Sequence, residues 1–198
     1  MNSLKISHDF LLQGDGSGEY SQWHCEFRDI MMARQDHMTR DLMQTVGVES
    51  SHLLGAISGE IGNNSFDHNL GKWDKIRGCW FSYEIFSDHV LIIIGDKGQG
   101  ITQSLRSAHP VIQSNEEAME IAFAKILSGR FPEKRGNGLK FVAKIINHTK
   151  PRGLVCLSGD SVFATGQKKE VLMNFVRSCY KESSINGTVT FIWWGIAP

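Results

Sequence analysis

Apolar residues recur at helical spacing twice in the first third of the chain, then give way to strand-like runs. Across 27–46, Phe27, Ile30, Met31, Met38, Leu42 and Met43 fall on one helical face, with Arg34 among them. A second helical stripe follows in Leu53, Leu54, Ile57 and Ile61, with Glu49, Ser50 and Ser51 offering a cap before it. Residues 71–77 read as a loop. Residues 78–86, rich in aromatic and β-branched types, read as a strand. After a short polar turn, Val90, Leu91, Ile92, Ile93 and Ile94 form a continuous apolar run, which predicts a central strand buried on both faces and an antiparallel hairpin with its predecessor. Residues 102–135 read as a long irregular insert holding one helix. That helix starts at Ser114 with acids in its first turn and carries Met119, Ala122, Phe123, Ile126 and Leu127 as its stripe. A glycine-rich segment then opens a helix over 141–146. Strands are predicted at 154–157, 161–164 and 187–194, with a helix over 168–180. The first 20 residues suggest one or two short strands and a glycine-rich turn.

Composition narrows the class. The 198 residues are enough for one sizeable core, and no linker, repeat or low-complexity segment divides them, so one domain over 1–198 is expected. Lys plus Arg equals Asp plus Glu, at 21 each, which gives no basic bias toward nucleic acid. The four cysteines are scattered without a C-x-x-C pair, which fits a reducing compartment rather than a zinc or redox motif. No apolar run reaches the ~18 residues of a bilayer span, and no signal-peptide pattern opens the chain. The expectation is a soluble cytoplasmic protein without a membrane or nucleic-acid partner.

Three polar motifs interrupt this framework. In the first, Glu60, Asn64 and His68 stand at i, i+4 and i+8, one row on a helix, bordering the apolar stripe rather than filling it. A carboxylate one turn before an amide can polarise a water while the amide ligates a hard cation. A polar surface turn is the plain alternative. In the second, the buried strand ends in Asp96, followed by Gly98, Gly100 and Ile101. A carboxylate held by rigid backbone can accept from an exocyclic amine, and glycines let backbone approach a flat ring. In the third, Lys134, Arg135, Gly136, Asn137, Gly138 and Leu139 lead into a helix. Free N–H groups and the helix dipole make such an opening an anion site.

The order, context and spacing of these motifs resemble the GHKL ATPase superfamily, which includes gyrase, heat-shock chaperone, histidine-kinase and MutL ATPase domains. Gly187 and Thr188, opening the last strand, are a weaker fourth element. The resemblance covers roughly residues 50–195, with 1–50 supplying N-terminal strands and a helix. It implies an α+β Bergerat fold: an α/β sandwich with a mixed, mostly antiparallel sheet, helices on one face, and a long ATP lid at about 102–135. It also implies ATP and Mg²⁺ as cofactors. On that resemblance Glu60 takes the general-base position, Asn64 the Mg²⁺-ligand position and Asp96 the adenine-amine position. Gly98, Gly100 and Ile101 would line the base. Gly136, Asn137, Gly138 and Leu139 would lead the triphosphate onto the helix, with Thr188 near the adenine side.

One position departs from the pattern. Asp67 stands where many histidine kinases have a basic residue, three after the asparagine. His68 or Asn69 is a partial substitute for the phosphate contact, and Arg130, Lys134 and Arg135 are further candidates. The chain most resembles free-standing histidine-kinase-like ATPases such as the anti-sigma-factor kinases. This implies an ATP-dependent protein kinase or ATPase acting with a small protein partner or phosphoacceptor. A nucleotide-gated interaction module that sequesters a partner with little turnover is the alternative. Trp73, Trp80, Trp193 and Trp194 suit either a homodimer interface or, more simply, a half-buried sheet face.

Overall fold

The computed structural model describes residues 22–73, 75–124, 137–148, 151–179 and 184–196. Among the described residues six strands form one sheet: β1 (His24–Cys25), β2 (Cys79–Ile85), β3 (His89–Asp96), β4 (Arg152–Gly159), β5 (Ser161–Thr165) and β6 (Ile185–Gly195). Their order is β1-β2-β3-β6-β4-β5, and each neighbouring pair is antiparallel. Among the described residues there are six helices, α1 (Arg28–Val46), α2 (Val48–Asp67), α3 (Gly100–Ala108), α4 (Asn115–Phe123), α5 (Gly138–Ile146) and α6 (Lys169–Cys179). The molecule is therefore α+β, a sheet layered with helices.

Alternation along the strands builds two cores. Val90, Ile92 and Ile94 of β3 join Leu154, Cys156, Ile192 and Trp194 on one face, under α1, α2, α4 and α5. Leu91 and Ile93 join Val155, Val189 and Phe191 on the other, with Leu172 and Val176 of α6, Ile76 and Trp80. The apolar run of β3 is thus buried on both sides, as its sequence predicts, and β2 and β3 form the expected hairpin.

Four expectations are corrected. The sheet is fully antiparallel among the described residues rather than mixed. Helices lie on both faces, because α6 carries its Leu172 and Val176 stripe to the side opposite α1 and α2. The described part of the irregular insert is mostly helical: α3 and α4 occupy most of 100–123, and Met119, Ala122 and Phe123 enter the main core. The remainder of the expected lid, 125–135, lies outside the described residues, as do the strands suggested in the first 20 residues. Finally, no polar cap starts the second helix. Gly47, at φ +83°, forms the junction with α1, and Ser51 Oγ instead donates back to Val48 O at 2.8 Å.

Trp80, Trp193 and Trp194 follow the sheet-face expectation, with Trp80 and Trp194 buried and Trp193 half-buried, while Trp73 lies outside the strands, half-buried against the main core. Among the described residues no helix is long and apolar enough to cross a membrane.

Candidate functional site

Helix α2 runs from one core into the polar motif. Its glycines set how closely α1 approaches: a Cβ on Gly55, Gly59 or Gly62 would crowd Thr39, Gln35 or Met31. Leu54, Ile57 and Ile61 bury the face turned to the sheet, which leaves Glu60 exposed and Asn64 half-buried beside it. Glu60 and the third motif come together. Gly138 is the first residue of α5, and a Cβ there would overlap the Glu60 carboxylate. A carboxylate at a helix N-terminus meets the free N–H groups and positive end of the dipole.

Asp96 ends β3, where it is buried, and pairs in register with Thr188 of β6. Three neutral donors hold its carboxylate. Ser65 Oγ donates to Oδ2 at 2.9 Å, Asn69 Nδ2 to Oδ1 at 2.9 Å, and Gly98 N to Oδ1 at 2.8 Å. Burial pushes its pKa up to about 6, and the Gly98, Ser65 and Asn69 hydrogen bonds offset only part of that rise. The titratable neighbours that feel its charge are the thiols of Cys79 and Cys156. Both are raised: Cys79 through its hydrogen bond with Cys25 and through burial, Cys156 by burial, to about 12.

The loop after Asp96 is pinned from two sides. Gln99 Nε2 donates to His68 O at 2.6 Å, and Gln99 N donates to Asn69 Oδ1 at 3.1 Å. Ser104 Oγ meets His68 Nδ1 at 3.1 Å. From β4, the Ser158 hydroxyl accepts from Ile101 N at 2.9 Å, donates to Gly187 O at 3.1 Å and lies 3.2 Å from Thr188 Oγ1. Gly187, at φ +96°, allows β6 to approach so closely that a Cβ would overlap the Asp96 carbonyl oxygen.

The expected residues divide accordingly. Glu60, Asn64 and Gly138 share one region; Asp96, Gly98, Gly100, Ile101 and Thr188 share the adjoining end of the sheet. Leu139 packs partly against the main core, and Asn137 is the exposed N-cap of α5. Asp67 turns to α1, where it forms an ion pair with Arg28. His68 caps α2 and contacts α3. Lys134, Arg135 and Gly136, with Arg130, lie outside the described residues.

Ser65 and Ser158 carry no signal in the sequence, and Asn69, offered there as a phosphate contact, instead holds Asp96 and Gln99 N. Ser65 and Asn69 are four apart at the end of α2, a spacing that brings both to Asp96. An open cleft of about 270 Å³ borders the loop, lined in part by Gly98, Gly100, Asn115, Ser158 and Gly187; Glu60, Asn64 and Asp96 do not line it. A second groove, about 260 Å³, lies between α1 and α2 away from all the motif residues.

No group of three or more His, Cys, Asp or Glu residues suited to a metal ion occurs among the described residues. The donor set of Glu60 and Asn64, hard oxygens one turn apart, suits Mg²⁺, which keeps several waters and takes one or two protein oxygens beside phosphate. A scan against protein-family models gives no match, and a search of curated proteins gives none either.

Proposed function

We propose that this chain is an ATP-binding regulatory protein of the histidine-kinase-like ATPase type, which hydrolyses ATP or passes its γ-phosphate to a protein partner. One observation supports this above the others. The helix that carries Glu60 and Asn64 also supplies Ser65 to the buried carboxylate of Asp96, with Asn69 just beyond its end. A candidate base and a candidate cation ligand thus stand on one rigid helix that also holds the candidate amine acceptor at the end of β3.

In this proposal Asp96 accepts the 6-amino group of adenine, and the N–H groups opening α5 receive phosphate. Glu60, beside that helix end, takes the proton of a water or an acceptor hydroxyl as it attacks. Asn64 offers its carboxamide oxygen to Mg²⁺, which when bound supplies charge neutralisation at the phosphates. The remaining contribution of the chain is positioning.

A second mode is favoured by Asp67. Its charge is matched by Arg28, so this position adds no cation to the phosphate end. That suits a module that binds ATP and holds a partner with slow turnover. Glu60→Gln separates the two. For an enzyme the variant binds Mg-ATP as wild type does while ADP release falls by about a hundredfold or more. Equal and negligible ADP release and phosphotransfer from both proteins, with ATP still bound, would select the binding module.

A further inference from the structure

Asn69 follows the end of α2 and is buried, and its side chain uses both ends of its amide. Nδ2 donates to Asp96 Oδ1, and Oδ1 accepts from Gln99 N. Only this orientation serves both partners, because the carboxylate is purely an acceptor and the backbone N–H purely a donor. The fit is close. A Cβ on Gly98 would overlap the Asn69 carboxamide, so the glycine is required there by Asn69.

The count of acceptor directions then decides what Asp96 can offer. A carboxylate has about four lone-pair directions, two on each oxygen. Oδ1 receives Asn69 and the Gly98 N–H, which fills it. Among the described residues, Oδ2 receives Ser65 alone. We propose that Asn69 is a positioning residue that fixes the Asp96 carboxylate so that a single lone-pair direction, on Oδ2, is left for a ligand amine. Resting on the ATP reading above, this makes the site selective for a 6-aminopurine through a residue that does not touch the purine. Without Asn69 the carboxylate keeps only its Ser65 and Gly98 donors, a second acceptor direction opens on Oδ1, and discrimination by amine is lost.

The test uses the full chain and the variants Asn69→Ala and Asn69→Asp. The second is isosteric and keeps the acceptor for Gln99 N, so it tests the contact if the alanine variant fails to fold. The titration of the Asp96 carboxyl is followed by carbon NMR without nucleotide. Loss of a hydrogen bond to the charged form moves its midpoint upward by about one unit in the alanine variant. In the aspartate variant an added like charge moves it further. Binding of Mg-ATP is then compared with Mg-purine riboside triphosphate, which lacks the amine. Wild type prefers ATP by about tenfold or more, and both variants bind the two nucleotides nearly equally. An unchanged Asp96 midpoint in both variants overturns the role of Asn69, whatever the nucleotide data. A raised midpoint in proteins whose wild type binds neither nucleotide overturns the ATP reading and the ligand half of this proposal, leaving the Asn69–Asp96 coupling in place.

Discussion

Asp96 is an acid kept where water cannot solvate its charge, and that has a thermodynamic consequence separate from any ligand. Its folded pKa of about 6 exceeds the ordinary value of 3.8. Between those pH values the folded chain holds a proton that the unfolded chain has released. Its contribution to stability is therefore fully present below the unfolded pKa, is lost as pH rises through the window up to about 6, and stays lost above it. A rise of about two units amounts to about 3 kcal/mol. Urea unfolding of wild type and Asp96→Asn, subtracted at each pH, isolates this group. The expected difference moves against wild type by about 3 kcal/mol between about pH 3.5 and about pH 6.5. A flat difference would show that Asp96 ionises as it does in water. Ligand binding has the opposite sign. An amine needs the ionised acceptor, so affinity weakens by about tenfold for each unit below the Asp96 midpoint in the bound-competent chain.

At the scale of elements, Ser158 joins three of them: the start of α3 through Ile101, the end of β4, and the start of β6 through Gly187. Ser158→Ala strands the Ile101 N–H and the Gly187 carbonyl. The expected loss of stability is about 2 kcal/mol, with faster hydrogen exchange at the Ile101 amide. Protection at Ile101 unchanged in the variant would mean that the hydroxyl does not anchor the helix. Arg152 makes a comparable link at the far end. It is buried, its guanidinium lies 3.6 Å from the centre of the Trp194 ring, and Nη1 donates to Ile145 O at 2.8 Å near the end of α5.

These links also mark where the sequence stopped being readable. The β2–β3 hairpin was legible because Val90 to Ile94 is apolar without interruption, a pattern that only a strand covered on both faces requires. Helix α3 was not, because Ile101 and Leu105 are its only large apolar residues and both are half-buried. The amphipathic stripe of α6 shows that it buries one face but not which side of the sheet receives it. Cys25 and Cys79 face each other across β1 and β2, a pairing set by tertiary register alone. Within the candidate site, Glu60, Asn64 and Asp96 stood out because each is polar beside an apolar pattern. Ser65 did not, since a serine in a helix has no distinctive signature and its partner is 31 positions away.

At the scale of the molecule, the antiparallel sheet works as a rigid plate with two filled faces, and the candidate site lies along the end where β3 stops and β6 starts. Helix α2 crosses from the core to that end and carries the polar row with it, while α5 brings its N-terminus against Glu60. The exposed Glu60 and the buried Asp96 thus have different surroundings on one scaffold, and burial raises the Asp96 carboxyl. In the proposed function this arrangement binds ATP through Asp96. Isothermal titration of the full chain with Mg-ATP near pH 7.5, wild type beside Asp96→Asn, tests it most directly at a pH where Asp96 is ionised. Saturable binding at one site per chain is expected in wild type, with a loss of about a hundredfold or more in the variant. No binding by wild type, or equal binding by both proteins, would contradict it.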